Sequence, residues 1–248
     1  QLRLHFAQDV VFFLQDFLRR QEKEIYDVDA LLIFAMIGMG LLANAGDLVV
    51  SFIGLETMSI CLYIMAALFK RDTGSNEAGL KYFLLGAFAS GFFIYGVALI
   101  YGVMGTTSLA AMDAGQVRNP EIASLLVPGL ALIMIGFFFK VSAFPFHAWT
   151  PDVYTGTPTP LAGFMATGSK AAAFIAFGVI LNKTLPLIPD NSKFYWVLAT
   201  VALATMIYGN FVAVQQSNLK RMLAYSSIAH SGYVLLGLCG GQDGLNVA

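Results

Sequence analysis

The chain has 248 residues, 58% of them hydrophobic and only 12% charged, with a net charge of −1. A soluble domain carries about 25% charged residues and cannot hide this much apolar side chain in one core, so the composition excludes a soluble globular protein, and by the same numbers a disordered one. There is no basic excess for nucleic acid, and Cys61 and Cys239, far apart and outside any CxxC pattern, leave no ligand set for a disulfide framework, an iron–sulfur cluster or a cysteine zinc site.

Residues 1–29 are predicted to be the end of a helix or an interfacial amphipathic segment. Phe12, Phe13, Phe17 and Leu18 alternate there with Asp9, Asp16, Arg19 and Arg20. The charge-free stretch 10–15 is too short to span, and the charges follow the apolar run, unlike those of a signal peptide. The start at Gln1 without a Met suggests a piece of a longer chain.

Residues 30–242 are predicted to be a transmembrane helix bundle, and 243–248 a loop at a truncated end. A bilayer core needs about 20 apolar residues per helix. Segments 30–46, 82–112 and 194–219 are uncharged; 48–69 holds only Glu56, 122–150 only Lys140, 153–182 only Lys170, and 222–242 only His230 as a titratable group. This predicts an all-α polytopic bundle of about seven transmembrane helices, the third ending near Met104. No alternating segments of β-barrel type occur. Ala87, Ser90 and Gly91 are expected to face a neighbouring helix, since small residues permit close approach.

The side that precedes residue 30, here side A, receives Arg19, Arg20, Lys23, Lys70, Arg71, Lys81, Lys220 and Arg221. The opposite side receives Arg118, Lys183 and Lys193. Side A is therefore expected to be cytoplasmic. Lys220 and Arg221 read as orientation signals, Asp47 as a helix cap or a solvated loop residue, and His230 as a hydrogen-bonded packing residue.

Three charges lie inside the spans. Glu56 sits about 12 Å along its helix axis, and Lys140 and Lys170 lie deep in two others. Each costs about 2.5–3.5 kcal/mol on insertion scales, and such residues usually pair or line an ion path. One glutamate and two lysines make a pair plus a spare cation. A buried lysine keeps its proton beside a carboxylate and tends to lose it alone, which suits proton transfer. A static ion pair or packing contact is the alternative.

Five residues after Lys140, Pro145 removes a backbone donor, so the helix is predicted to be discontinuous between about Val141 and Trp149. Breaks at membrane depth persist only where they are buried in protein or line a wet cavity, and in transporters they mark ion sites. His147 is expected beside the freed carbonyls, or as a capping residue at the membrane surface. Pro160 suits the start of the Lys170 helix.

The run FKVSAFPFHAWTPDVYTGTPTP (139–160) followed by Ser169-Lys170, with segments 45–63, 76–91 and 215–233, resembles the antiporter-like subunits of respiratory complex I, most of all the subunit N group of bacterial NADH–quinone oxidoreductase and its mitochondrial subunit 2 counterparts. The likeness covers roughly residues 30–240. It implies the first half of an inverted-repeat antiporter-like fold, the second half lying outside this sequence. It further implies a proton relay in which Glu56 is the membrane-embedded glutamate, Lys140 its partner on the broken helix, Lys170 the next lysine along the central axis and His147 the histidine after the break.

By that resemblance the chain is a proton-pumping translocase subunit of NADH–quinone oxidoreductase. It would have no redox centre or cofactor of its own, flavin and iron–sulfur clusters residing in other subunits. Its partners would be the other membrane subunits of complex I, the lipid bilayer and protons, and its place the bacterial inner membrane. No GxGxxG motif contradicts this. A cation/proton antiporter subunit of the related multisubunit family is the alternative, and a purely structural membrane subunit a blander third.

Overall fold

A computed structural model of the chain describes residues 12–19, 27–113 and 117–240. Residues 1–11, 20–26 and the predicted 243–248 loop lie outside the described residues. The fold is all-α, and its only extended feature among the described residues is an isolated bridge between Asp47 and Ser108.

Nine principal helices follow in chain order: α1 (Asp27–Ala43), α2 (Leu48–Ala66), α3 (Thr73–Met104), α4 (Leu126–Val141), α5 (Trp149–Gly156), α6 (Thr159–Phe164), α7 (Lys170–Thr184), α8 (Ser192–Val214) and α9 (Leu219–Leu238). Helices α4 and α5 are the two halves of the Pro-broken segment. Helices α6 and α7 join through a π-helical turn, Met165–Ser169, that the sequence reading missed.

The sequence predicts about seven spans; among the described residues five segments are long and apolar enough to cross a membrane, Leu48–Ala66, Thr73–Met104, Pro120–Val141, Thr159–Leu187 and Ser192–Val214, and α1 and α9 fall short. Helix α1 is only 17 residues long, and α9 carries Lys220, Arg221, His230, three serines and two glycines, which lower its hydropathy.

Ahead of α1, residues 12–19 are helical; Leu14 and Leu18 are buried, Phe12 and Phe13 exposed, and Gln15 donates to Asp29 at 2.9 Å. Asp47 caps α2 by accepting from the Val49 N–H at 2.8 Å, and its other oxygen accepts from the Thr107 hydroxyl at 2.7 Å. This fixes the α1–α2 turn against the end of α3.

Helix pairs close on small residues. A Cβ on Gly38 would lie 2.4 Å from the Met58 nitrogen, and one on Gly54 2.5 Å from the Leu42 nitrogen, so α1 and α2 meet backbone to backbone. On α3 the expected contact face is corrected. Ser90 is buried, but Ala87 and Gly91 are exposed; Gly86, Ala89 and Phe93 point inward instead. The 3.6-residue period places 86, 89 and 93 on one face and turns 87 and 91 away. Large apolar side chains such as Phe88, Trp196 and Phe211 are exposed on the outside, as lipid-facing positions require.

Candidate proton-relay site

The break after Lys140 is built by hydrogen bonds that replace the helical ladder. Ser142 adopts the left-handed conformation (φ 64°), and the Ala143 N–H closes back on the Phe138 carbonyl at 2.8 Å. The Phe144 N–H donates to Thr205 of α8 at 2.9 Å, the Thr150 hydroxyl to Ser142 at 2.7 Å, and the Trp149 indole N–H to the Phe139 carbonyl at 3.1 Å. The chain resumes helix at Trp149, within the predicted interval. These partners take up the Phe138 and Phe139 carbonyls and the Ala143 and Phe144 N–H groups, and His147 lies within the break. It is buried, its ring lies 4.4 Å from that of Tyr208 and 5.4 Å from that of Phe144, and its Nδ1 has no hydrogen-bond partner among the described residues.

Lys140 ends α4 at 2% exposure. Its ammonium donates to the Ser59 hydroxyl of α2 at 2.8 Å and to the Tyr82 hydroxyl of α3 at 3.3 Å. Glu56, half-buried one turn before Ser59, accepts from the Ser90 hydroxyl. Glu56 and Lys140, which the sequence pairs either directly or through one bridging water, make no direct contact among the described residues and interact electrostatically at a distance. Ser59, Ser90 and Lys140 together line a void of about 10 Å³.

Lys170, at 5% exposure, starts α7 directly after the π-helical turn. It donates to the Ser227 hydroxyl at 2.8 Å, the Ser227 carbonyl at 3.1 Å and the Ser231 hydroxyl at 3.0 Å, all on α9. A cavity of about 400 Å³ opens beside it, lined in part by Thr167, His230 and Ser231. His230, read from the sequence as a packing residue, is exposed at this cavity, with Nδ1 2.8 Å from the Ser226 carbonyl. Phe137 and Phe177, stacked at 4.9 Å, belong to the aromatic packing between α4 and α7.

At the side-A end, Asp152 of α5 accepts from Lys81 of α3 and from Arg221 of α9, each at 2.7 Å. Burial opposes the Asp152 charge, but the hydrogen bonds from Lys81 and Arg221 outweigh it and hold the carboxyl below the usual carboxylate range. Lys220 donates to the Thr155 and Thr157 carbonyls at 3.1 and 2.8 Å, closing the C-terminus of α5. These residues, read from the sequence as orientation signals alone, also fasten the second half of the broken helix.

Sequence reasoning missed Ser59, Tyr82, Ser90, Ser227 and Ser231. The usable signal was spacing: Ser59 follows Glu56 by three residues and Ser231 follows Ser227 by four, each sharing a helix face. Among the described residues no group of three or more His, Cys, Asp or Glu side chains is placed to hold a metal ion.

The chain matches the family model described as NADH:quinone oxidoreductase/Mrp antiporter, TM, over residues 45–248. It is 50% identical over 226 residues to NADH-quinone oxidoreductase subunit N of Salinibacter ruber, covering 91% of this chain and 44% of that protein. Among solved structures it resembles a chain of respiratory complex I from Thermus thermophilus with bound Aureothin at TM-score 0.72 and 41% identity, covering 88% of this chain and 46% of that one. A chain of the membrane-bound sulfane sulfur reductase, an archaeal respiratory membrane complex, matches at TM-score 0.77 and 32% identity, covering 84% and 42%. The chain thus spans about half the length of the curated relatives it matches. With the Pro-broken helix, its buried lysine and a match over most of its length, the chain is a multi-pass membrane protein that belongs to the NADH:quinone oxidoreductase/Mrp antiporter transmembrane family.

Proposed function

We propose that this chain is part of a proton-translocating membrane subunit of NADH–quinone oxidoreductase, in the bacterial inner membrane, working beside the other membrane subunits of that complex. Electron transfer, with its flavin and iron–sulfur groups, takes place in other subunits. The observation that carries this reading is the pair of buried lysines, each at a helix discontinuity and each donating to hydroxyl groups. A hydroxyl accepts from an ammonium and donates to a neutral amine equally well. Such a seat serves both states of a lysine that gains and loses a proton.

In this reading Glu56 attracts the charged Lys140 without touching it, and the void beside Lys140 is about the volume of one water. When a charge change in a neighbouring subunit draws Glu56 away, Lys140 releases its proton towards Lys170, whose cavity receives it; His147 lies beside the break as a further candidate carrier. A shift of one pKa unit corresponds to about 1.4 kcal/mol, so a small movement of one carboxylate is enough to change occupancy.

The test is proton uptake per NADH oxidised in membrane vesicles carrying the full-length protein in its complex. Glu56→Ala and Lys140→Ala are expected to lower uptake while assembly is retained; unchanged rate and stoichiometry in both would overturn the reading. The family description also names the Mrp antiporter, which favours a cation/proton antiporter as second reading. Sodium-dependent pH gradients in vesicles without NADH would select it.

A further inference from the structure

The short helix α5 has lost its backbone continuity with α4 and must be placed by side chains. Trp149 and Asp152 lie three residues apart on α5 and so share a face. Both meet α3 at successive residues. Asp152 accepts from Lys81, and the Trp149 ring lies flat on the Tyr82 ring, centroids 4.4 Å apart and 9° between planes. Tyr82 is fully buried and supplies one of the two hydroxyls to which Lys140 donates. Trp149 also donates to the carbonyl of Phe139, the residue before Lys140. Arg221 holds the same Asp152 carboxylate from α9.

We propose that Asp152 is a positioning residue for Lys140: the Lys81–Asp152–Arg221 bridge sets the register of α5 on α3, and the Trp149–Tyr82 stack carries that register to the Tyr82 hydroxyl. This rests on the proton-translocation reading and adds to it a residue at the side-A end that touches neither lysine of the relay. A charge bridge only partly shielded from water contributes little stability by itself. Its effect here is geometric, because two side chains of one helical face are aligned against two successive residues of another helix.

The experiment is a double-mutant cycle in the full-length protein, assembled in its complex in membrane vesicles. Proton uptake per NADH is measured for Asp152→Asn, Tyr82→Phe and the double variant, with uncoupled NADH oxidation as the assembly control. Asp152→Asn is expected to lower uptake about five-fold in the native background and less than about two-fold once Tyr82 is Phe, since the path of its influence is then already gone. Asp152→Glu, which keeps the charge, is expected to restore most of the uptake. Should Asp152→Asn fail to assemble, Lys81→Gln, at a half-exposed residue, enters the same cycle. Effects of Asp152 and Tyr82 that multiply independently, or an Asp152→Asn variant that pumps normally, overturn the proposal while leaving the Lys140 reading intact. A Lys140→Ala variant with normal uptake overturns both.

Discussion

Glu56 of α2 and Lys140 of α4 do not touch, and each is held by a serine instead. Ser90 donates to Glu56, Ser59 accepts from Lys140, and both serines line a void of about 10 Å³ beside Lys140. Hydrogen bonds to charged groups are worth about 1.5–3 kcal/mol. Ser59→Ala and Ser90→Ala should therefore each slow proton uptake by about tenfold or more, without preventing assembly. Uptake at the native rate in both would show that the carboxylate and the lysine act without these hydroxyls.

The hydrogen-bond acceptors of Lys170 come from one helix. Ser227 and Ser231 of α9 together provide three acceptors to its ammonium. One of these is a backbone carbonyl that mutation leaves in place, so Ser231→Ala alone should have a small effect, whereas Ser227→Ala with Ser231→Ala should approach the loss seen in Lys170→Ala. Proton uptake in vesicles separates the two outcomes.

Gly38 and Gly54 set the distance between α1 and α2. A methyl group on Gly38 would stand 2.4 Å from a backbone nitrogen, which cannot move aside as a side chain can. Gly38→Ala should destabilise the helix pair by about 1–3 kcal/mol, as overpacking does, and a larger Gly38→Leu should abolish accumulation of the protein. Thermal unfolding of the detergent-purified full-length protein measures the first, membrane abundance the second.

Asp152 gives a pH signature outside the membrane-spanning helices. Its folded carboxyl titrates below the ordinary range because the bonds from Lys81 and Arg221 outweigh the cost of burial. A depressed carboxylate contributes stability that is present above the unfolded value of about 3.9 and lost as pH falls through the folded one. The stability difference between the native protein and Asp152→Asn should thus be constant from neutral pH down to about 5 and shrink below about 4. A difference that grows on acidification would contradict the bridge.

What the sequence revealed, and what it did not, follows from the range of each interaction. Helices, their order and the break at Pro145 are local consequences of apolar runs and a missing N–H, so they were legible. Lys140 and Lys170 stood out because a charge in an apolar span has no cheap explanation. The partners were not legible. Whether Lys140 meets Glu56 or Ser59 depends on the rotation and axial position of α2, because residues three apart lie only about 60° apart round a helix. The bond between Lys81 and Asp152 joins residues 71 apart in the chain and depends on where α5 lands after the break. The π-helical turn before Lys170 left no composition signal at all: MATGS reads as ordinary helix with one glycine.

Replacing each relay lysine by arginine separates a moving proton from a fixed charge. Lys140 and Lys170 both keep a positive charge in the Arg variants, so a static ion that merely holds helices together would be preserved in sign. Arginine, however, cannot be deprotonated in a protein, and its planar fork presents several donors where the serine seats offer hydroxyls arranged round a compact ammonium. A residue that must release its proton to the next site is then blocked. Lys140→Arg and Lys170→Arg should assemble, support electron transfer in the uncoupled complex and lose most proton uptake, close to the loss in the Ala variants. Lys220→Arg supplies the contrast: Lys220 only closes the end of α5 through the Thr155 and Thr157 carbonyls, a task that needs donors and never an empty amine. Its uptake should stay within about two-fold of native, since the donors are retained. Normal pumping in Lys140→Arg, measured as acidification per NADH in sealed vesicles, would mean that Lys140 never gives up its proton, and the relay through it would have to be abandoned.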